Sequence, residues 1–375
     1  MSTLSKATRV FRRSLATLMT LMITTPAALA QSAPSLSAVG ENHRLSQGLE
    51  DFYDTAFILK DARTGQPRVT SFAEMADLLS TYDVVFFGES HRHPGVHLQQ
   101  QRLFRALVER HPRYILSLEQ FERDTQPVLD AYLAGKVGEN ALKEKGRAWD
   151  NYPTSYRPLV EYARTRGLPV IAAEAPTWAV VCIGQWGPEI LARFTPEERA
   201  WVARDLNPGT GAYRAKYMRF QAGAAAHGGG ASQSPEALIK AERSLAGQTA
   251  RDDTMAESIH LALKSHPGSK VLHLNGNFHS AGFLGTVERL KLRDPALKIA
   301  VIDPLEVEDP KAPSFKTADL ENGSILQLLY PNPPTFAPGE DMSEWVRTLM
   351  SKRKASACKY APQSASPPRS QPAKP

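Results

Sequence analysis

Four apolar stretches of this chain run directly into acidic or imidazole side chains. Val84-Val85-Phe86-Phe87 leads into Gly88-Glu89-Ser90-His91, and Tyr114-Ile115-Leu116-Ser117-Leu118 ends at Glu119. Val170-Ile171-Ala172-Ala173 ends at Glu174, and Val271-Leu272-His273-Leu274-Asn275 leads into Gly276-Asn277-Phe278-His279. Carboxylates and imidazoles move protons, activate water, stabilise developing charge and ligate metals. A carboxylate at a strand tip is costly to desolvate unless it is paired or used. Glu89, His91, Glu119, Glu174 and His279 therefore form a candidate catalytic set, and His91, His279 and Glu89 a candidate set of ligands for a divalent metal ion. The spacing Gly-x-x-His occurs at two of the tips, where a residue without Cβ permits a tight turn and close approach of a ligand. Each residue also has a plainer role open to it. The histidines would then bind loop carbonyls, Glu89 would cap the following helix, and Glu119 and Glu174 would pair with arginines such as Arg123. His93 and His97 extend the pattern to His-x-His-x-x-x-His, a ligand-like spacing. His97 is nevertheless expected on the solvent side of its helix, His273 in the core, and Asp252 and Asp253 as helix-surface charges. The absence of Gly-x-Ser-x-Gly argues against a serine nucleophile on an elbow turn.

For these side chains to meet, the apolar runs must be neighbouring strands. Their continuous apolarity suits strands buried on both faces, as in a parallel sheet. Helical segments separate them. Ser71 and Glu74 predict a capping box for a helix through Leu79. Pro94 opens another helix, with Val96, Leu103, Phe104, Leu107 and Val108 along one face. Phe57-Ile58-Leu59 predicts a first strand followed by a turn at 63–67, and 298–302 a further strand. The alternation predicts an α/β, Rossmann-like, three-layer architecture around a mostly parallel sheet. Ligands of such sheets bind at the carboxyl ends of the strands, where all four polar tips would lie. Residues 176–265 carry no convincing strand and read as a helical insert, with Leu238, Leu245, Ala256, Ile259 and Leu263 as a helical stripe and a Gly/Ala/Ser-rich loop at 223–234.

The N-terminus has the layout of a secretory signal peptide. Lys6, Arg9, Arg12 and Arg13 precede an apolar stretch at 14–24, too short to span a bilayer, and Ala28-Leu29-Ala30 supplies a small-x-small cleavage pattern. No cysteine for lipid attachment stands nearby, so the expected location is periplasmic or secreted. The expected organisation is a signal peptide over 1–30, a flexible extension over 31–50, one α/β domain over 51–350 and a disordered tail over 351–375. The formal charge of +6 owes much to the signal and the tail, and no basic stripe interleaved with aromatics indicates nucleic acid. Cys182 and Cys358 leave two options, a disulfide pinning the tail or two unpaired thiols.

The ordered series of these segments resembles a known family. Val84 to His91 resembles the opening motif of the ChaN-like haem-binding uptake proteins of the TIKI / erythromycin esterase-like superfamily. Leu118-Glu119-Gln120-Phe121, Trp149-Asp150-Asn151-Tyr152, Tyr156-Arg157-Pro158-Leu159, Pro169 to Pro176, and Gln248, Asp252 and Thr254-Met255-Ala256 are similar to its later blocks. Gly276-Asn277-Phe278-His279 resembles the closing one. The resemblance spans roughly 55–305. It implies an exported protein that binds haem through a tyrosine, with haem packed between the subunits of a homodimer and delivery by outer-membrane uptake machinery. Tyr152, Tyr156, Tyr213 and Tyr217 are the candidates for that ligand, the last two favoured by their place in the insert. Arg214, Lys216 or Arg219 would meet the haem propionates. The superfamily also implies an alternative, a metal-dependent hydrolase. There Glu89 or Glu119 would act as base, while His91 and His279 would bind the metal or stabilise an oxyanion.

Overall fold

The apolar runs become the centre of a single large sheet. The computed structural model describes residues 34–61, 63–227, 235–337, 339–345, 347–348 and 358–360. The expected signal peptide lies outside the described residues, as does all of the expected tail except Cys358 to Tyr360. In chain order the strands are β1 (Leu36–Val39), β2 (Asn42–Leu45), β3 (Thr55–Lys60), β4 (Pro67–Thr70), β5 (Val84–Glu89), β6 (Tyr114–Glu122), β7 (Val170–Glu174), β8 (Lys270–Gly276), β9 (Ile299–Glu306), β10 (Ser314–Lys316) and β11 (Ile325–Leu329). The helices are α1 (Phe72–Leu79), α2 (Pro94–Arg110), α3 (Gln126–Leu133), α4 (Glu139–Glu144), α5 (Tyr152–Ser155), α6 (Arg157–Thr165), α7 (Thr177–Trp186), α8 (Pro196–Ala200), α9 (Gly211–His227), α10 (Pro235–Ser265) and α11 (Thr286–Arg293).

Eight strands form one sheet in the order β4-β3-β11-β9-β5-β8-β6-β7. The six from β11 to β7 run parallel, while β3 and β4 add an antiparallel hairpin at one edge. This is the α/β architecture that the alternation predicts. The side chains of Val85, Phe87, Leu116, Leu118, Leu272, Leu274, Ala300 and Ile302 pack on one face with Leu103, Phe104 and Leu107 of α2 and Leu159 and Val160 of α6. Val84, Phe86, Ile115, Val271 and Val301 pack on the other with Ala256 and Ile259 of α10 and Leu290 of α11. Alternation along each strand thus divides two apolar layers, as burial on both faces requires.

The outer edge strand β7 is not left bare. Gln126 at the start of α3 donates from its side-chain amide to the Val170 carbonyl at 2.9 Å and accepts from the Ala172 amide at 2.7 Å. One side chain thereby takes the place of a neighbouring strand.

Several expectations are corrected. The segment expected as a flexible extension forms, from residue 36, the hairpin of β1 and β2, which pairs with β10 because Leu45 and Phe315 bury against Ile58 and Leu328. Ser71 does cap α1, accepting from the Glu74 amide at 3.2 Å, but the Glu74 carboxylate turns away to Arg68 and Thr70 instead of closing the box. The Gly-rich loop is shorter than its composition suggests, since α9 continues to His227 and the rest, 228–234, lies outside the described residues. Cys182 and Cys358 form a disulfide, joining α7 to a point far along the chain. Around it Tyr360 packs against Phe194 and Trp178, and Lys359 and Tyr360 both bond the Glu198 carboxylate.

Candidate functional site

The register of the central strands places the two Gly-x-x-His segments side by side. Gly88 lies opposite Asn275 and Glu89 opposite Gly276. The β6–β8 ladder ends at Leu118 opposite Leu274, one residue before Glu119, so that strand separates from β8 at the tip. The Glu119 carboxylate fills the gap by accepting the Gly276 amide at 2.5 Å. The glycines are required here by crowding. A Cβ on Gly276 would sit 2.7 Å from the His91 ring, and one on Gly88 would lie 3.1 Å from Asn277 Cβ and the Ile302 carbonyl. The close approach anticipated for a ligand is thus made by the protein's own side chains.

Two carboxylate–imidazole pairs meet at this edge from opposite faces of the sheet. On the α2/α6 face, Glu89 is 1% exposed and accepts from four groups: His91 Nδ1 at 2.8 Å, Gln100 at 2.8 Å, Gln120 at 3.1 Å and the Tyr156 hydroxyl at 2.5 Å. Burial works to raise its pKa, but the His91 hydrogen bond and the facing imidazoles bring it below the usual carboxylate range. Glu89 therefore does not cap α2. That position falls to His93, whose ring accepts from the Gly95 amide at 3.1 Å. His97 is buried rather than on the solvent side, bonded to Gln100 at 2.9 Å and to the His91 carbonyl at 3.0 Å. His91 is the member of this pair that reaches solvent, resting edge-on against Trp149. Burial lowers its pKa, yet Glu89 and Glu119 together hold it above the ordinary histidine value.

On the α10/α11 face, His279 Nδ1 bonds Asp252 at 2.7 Å while Nε2 faces Glu119 at 3.5 Å. Asp252 is fully buried, contrary to its expected place on the helix surface. It also accepts from Thr286 at 2.7 Å and from the Tyr213 hydroxyl. Burial opposes ionisation of Asp252, but His279 and Arg289 keep its pKa low. His279, desolvated but held by Asp252 and Glu119, is raised to about 9. Asp253, equally buried, is spent on structure. It binds the amide and side chain of Asn207, at 2.7 Å each, and Arg293 at 3.1 Å. Glu174 pairs with Arg251 at 2.6 Å rather than with Arg123, which binds Glu257 at 2.9 Å. Burial and neighbouring Glu119 still push Glu174 up to about 7 against the pull of Arg251. His273 is the expected core histidine, bonded to Ser117 at 2.9 Å and driven down to about 3 by burial.

The cluster thus brings together Glu89, His91, Glu119 and His279, with Glu174 one step outside. Sequence reasoning missed Asp252, Gln100, Gln120 and Arg251 as members. A signal for Asp252 was present, because it lies four, seven and eleven residues before Ala256, Ile259 and Leu263 and so shares their buried face. The proposed metal ligands are engaged with one another in this structure. Both nitrogens of His279 face carboxylates, and the Glu89 oxygens are taken by hydrogen-bond donors. Among the described residues no group of three or more His, Cys, Asp or Glu is arranged to hold a metal.

The four tyrosines separate clearly. Tyr156 and Tyr213 donate to Glu89 and Asp252, and burial beside those carboxylates pushes both phenols far above their ordinary value. Tyr152 is 1% exposed in the core against Phe121. Tyr217 alone bonds only neutral partners, Ser244 at 2.5 Å and Gln221. It lies in an apolar cluster with Met218, Leu245 and Phe278, next to the exposed Phe220. Lys216 holds the Gly276–His279 turn by donating to the Phe278 and Ala281 carbonyls at 2.8 and 2.7 Å, and Arg214 is paired with Glu242.

The raised pKa of His279 makes a prediction about stability. A histidine whose folded pKa exceeds its unfolded value, about 6.5, contributes stability that is complete below that value and is lost as pH rises through the folded pKa. The window is therefore from about 6.5 to about 9, and the expected loss is about 3 kcal/mol. His273, held neutral, acts only below the window; Glu174 and Asp303, both raised to about 7, and His91, also raised, add to the decline, whereas Lys216, lowered to about 8, opposes it above that pH, so the difference between the parent and a variant isolates the His279 part. Urea unfolding at pH 6.5 and 9.5 should show the decline, and Asp252→Asn should flatten it. An unchanged slope in that variant would count against this assignment.

A family model described as haem-binding uptake, Tiki superfamily, ChaN matches residues 75–290. Among solved structures, one of cofacial haem binding to ChaN of Campylobacter jejuni is similar, with 17% identity, TM-score 0.51, and coverage of 74% of this chain and 98% of that one. An erythromycin esterase variant in its open conformation aligns at 13% identity and TM-score 0.39, covering 79% of this chain and 87% of that one. A Bacillus cereus protein aligns at 13% identity and TM-score 0.40, covering 70% and 92%. A search of curated proteins finds no match.

Proposed function

Because the chain belongs to the haem-binding uptake family of the Tiki superfamily, we propose that it is an exported, ChaN-like haem-binding protein that serves haem and iron uptake. The observation that carries this reading is the family match over 75–290, which spans both Gly-x-x-His tips and the tyrosines of α9. The Cys182–Cys358 disulfide supports export, since disulfides persist in oxidising compartments. Bound haem supplies a ferric centre that takes an anionic oxygen or nitrogen ligand. Of this chain's tyrosines, Tyr217 fits that role best, being free of carboxylate partners and set among Phe278, Met218 and Leu245. Arg219, exposed and with no bonded partner among the described residues, fits a propionate better than Arg214 or Lys216, which are already engaged. Pairing of two copies around haem, and delivery by outer-membrane machinery, belong to the same proposal.

The test is a visible-spectrum titration of the protein from Gln31 onward with ferric haem. A saturable, near-stoichiometric Soret shift is expected, weakened at least about tenfold by Tyr217→Phe through loss of the axial bond. Tyr213→Phe should leave the spectrum of the complex in place. Absence of a saturable shift would remove the haem reading.

A second reading rests on the line Asp252–His279–Glu119. An imidazolium held between two carboxylates beside His91 suits hydrolysis, with Glu119 as base and the histidines as donors to an oxyanion. Turnover of an ester panel that vanishes in Glu119→Gln, with haem binding retained, would establish it. Turnover unchanged in that variant would exclude this cluster as its source.

A further inference from the structure

A cavity of about 790 Å³ lies between Arg123 just after β6, α8 with its following turn, the last third of α10 and the end of α11. Arg123, Arg199, Arg204, Lys264 and Arg293 line it together with His260, against two carboxylates, Glu257 and Asp205. Five cations against two anions leave an excess of three positive charges with His260 neutral. We propose that this cavity is a binding site for a small multivalent oxyanion, of the phosphate or polycarboxylate class.

The way the cations are held supports the assignment. Arg199 satisfies its guanidinium with the backbone carbonyls of Val202, Ala203 and Arg204, at 2.7 to 2.9 Å, and with no carboxylate. Its charge is therefore fixed in place and not neutralised. Arg293 is anchored by Asp253 and by the Asp205 and Arg289 carbonyls. Arg123 spans Glu257, the Thr254 carbonyl and Ser258. Burial lowers the Arg123 pKa, Glu257 opposes this, and the facing Arg293 and Arg199 lower it further. Cations that repel one another across a cavity are the complement of an anion that is not itself part of the chain. Arg204 and Lys264 complete the rim, exposed and with no side-chain partner among the described residues. Arginine forks at fixed orientation recognise phosphate and carboxylate oxygens bidentately, and the rim pair would close on the remaining charge.

The experiment is calorimetric titration of the disulfide-bonded protein, at low ionic strength, with inorganic pyrophosphate and separately with citrate. Saturable one-to-one binding of at least one of them is expected, and which is tighter assigns the ligand to the phosphate or the carboxylate class. Arg204→Gln/Lys264→Gln should weaken it at least about tenfold, because each hydrogen bond to a charged group contributes on that scale. Both residues are on the rim, so thermal unfolding should be unchanged. A control, Arg63→Gln/Lys311→Gln, removes two exposed charges elsewhere and should bind as the parent does. No saturable binding of either anion, parent-like binding in the rim variant, or equal weakening in the control would each overturn the proposal.

Discussion

Asp252→Ala is expected to destabilise the protein by about 3–5 kcal/mol, the cost of removing one partner from a buried charged pair. The side chain is 0% exposed and is the common acceptor for His279, Thr286 and Tyr213. Truncation leaves a buried imidazole that must neutralise, together with two hydroxyls that lose their acceptor. Equilibrium urea unfolding of the variant measures the loss directly. The mechanism is separable from simple cavity formation by a double-mutant cycle. If the cost comes from stranding His279, the same substitution made in a His279→Gln background should cost at least about 1 kcal/mol less. Additive costs would mean that Asp252 acts through its hydroxyl partners or packing and not through His279.

Reducing the Cys182–Cys358 disulfide should have a comparable effect by a different route. The bridge spans a sequence separation of 176 residues, and closing a loop of that length in the unfolded chain corresponds to about 5 kcal/mol of restricted entropy. Unfolding of the oxidised protein and of Cys182→Ala/Cys358→Ala should differ by that order. The folded state changes locally as well. Tyr360 packs against Phe194 and Trp178, so tryptophan emission should shift in the variant before global unfolding begins. Coincident urea midpoints for the two proteins would show that the bridge does not constrain the unfolded chain.

The parallel sheet was legible because buried strands announce themselves as unbroken apolar runs. Val84 to Phe87, Tyr114 to Leu118 and Val271 to Leu274 all lie where their composition puts them. The polar tips were legible for the same reason, since a carboxylate or imidazole after such a run stands out. What escaped were the partners that the helices supply. Asp252 and Arg251 come from α10 and His97 and Gln100 from α2, where a polar residue on a buried helical face is indistinguishable by type from one in solvent. Only the register of the helical stripe separates them: His97 lies seven residues before Phe104 and eleven before Val108. The hairpin of β1 and β2 escaped because its strands are short and polar on one side, and they are buried only by distant Phe315 and Ile58. The pairing of Cys182 with Cys358 required a spatial approach that no spacing encodes.

The Gln126 side chain on β7 has a bearing on how two copies of this protein can meet. A bare edge strand invites another chain to extend the sheet, in register and without limit. With the Val170 carbonyl and Ala172 amide already taken, that template is blocked along part of its length. The opposite margin is β4, only four residues long and beginning with Pro67, whose nitrogen has no hydrogen to offer. Both margins are thus poor nuclei for open-ended stacking. Self-association at the margins of this sheet is thereby directed to side-chain surfaces, which can pair and close, and away from backbone addition, which ends in fibres.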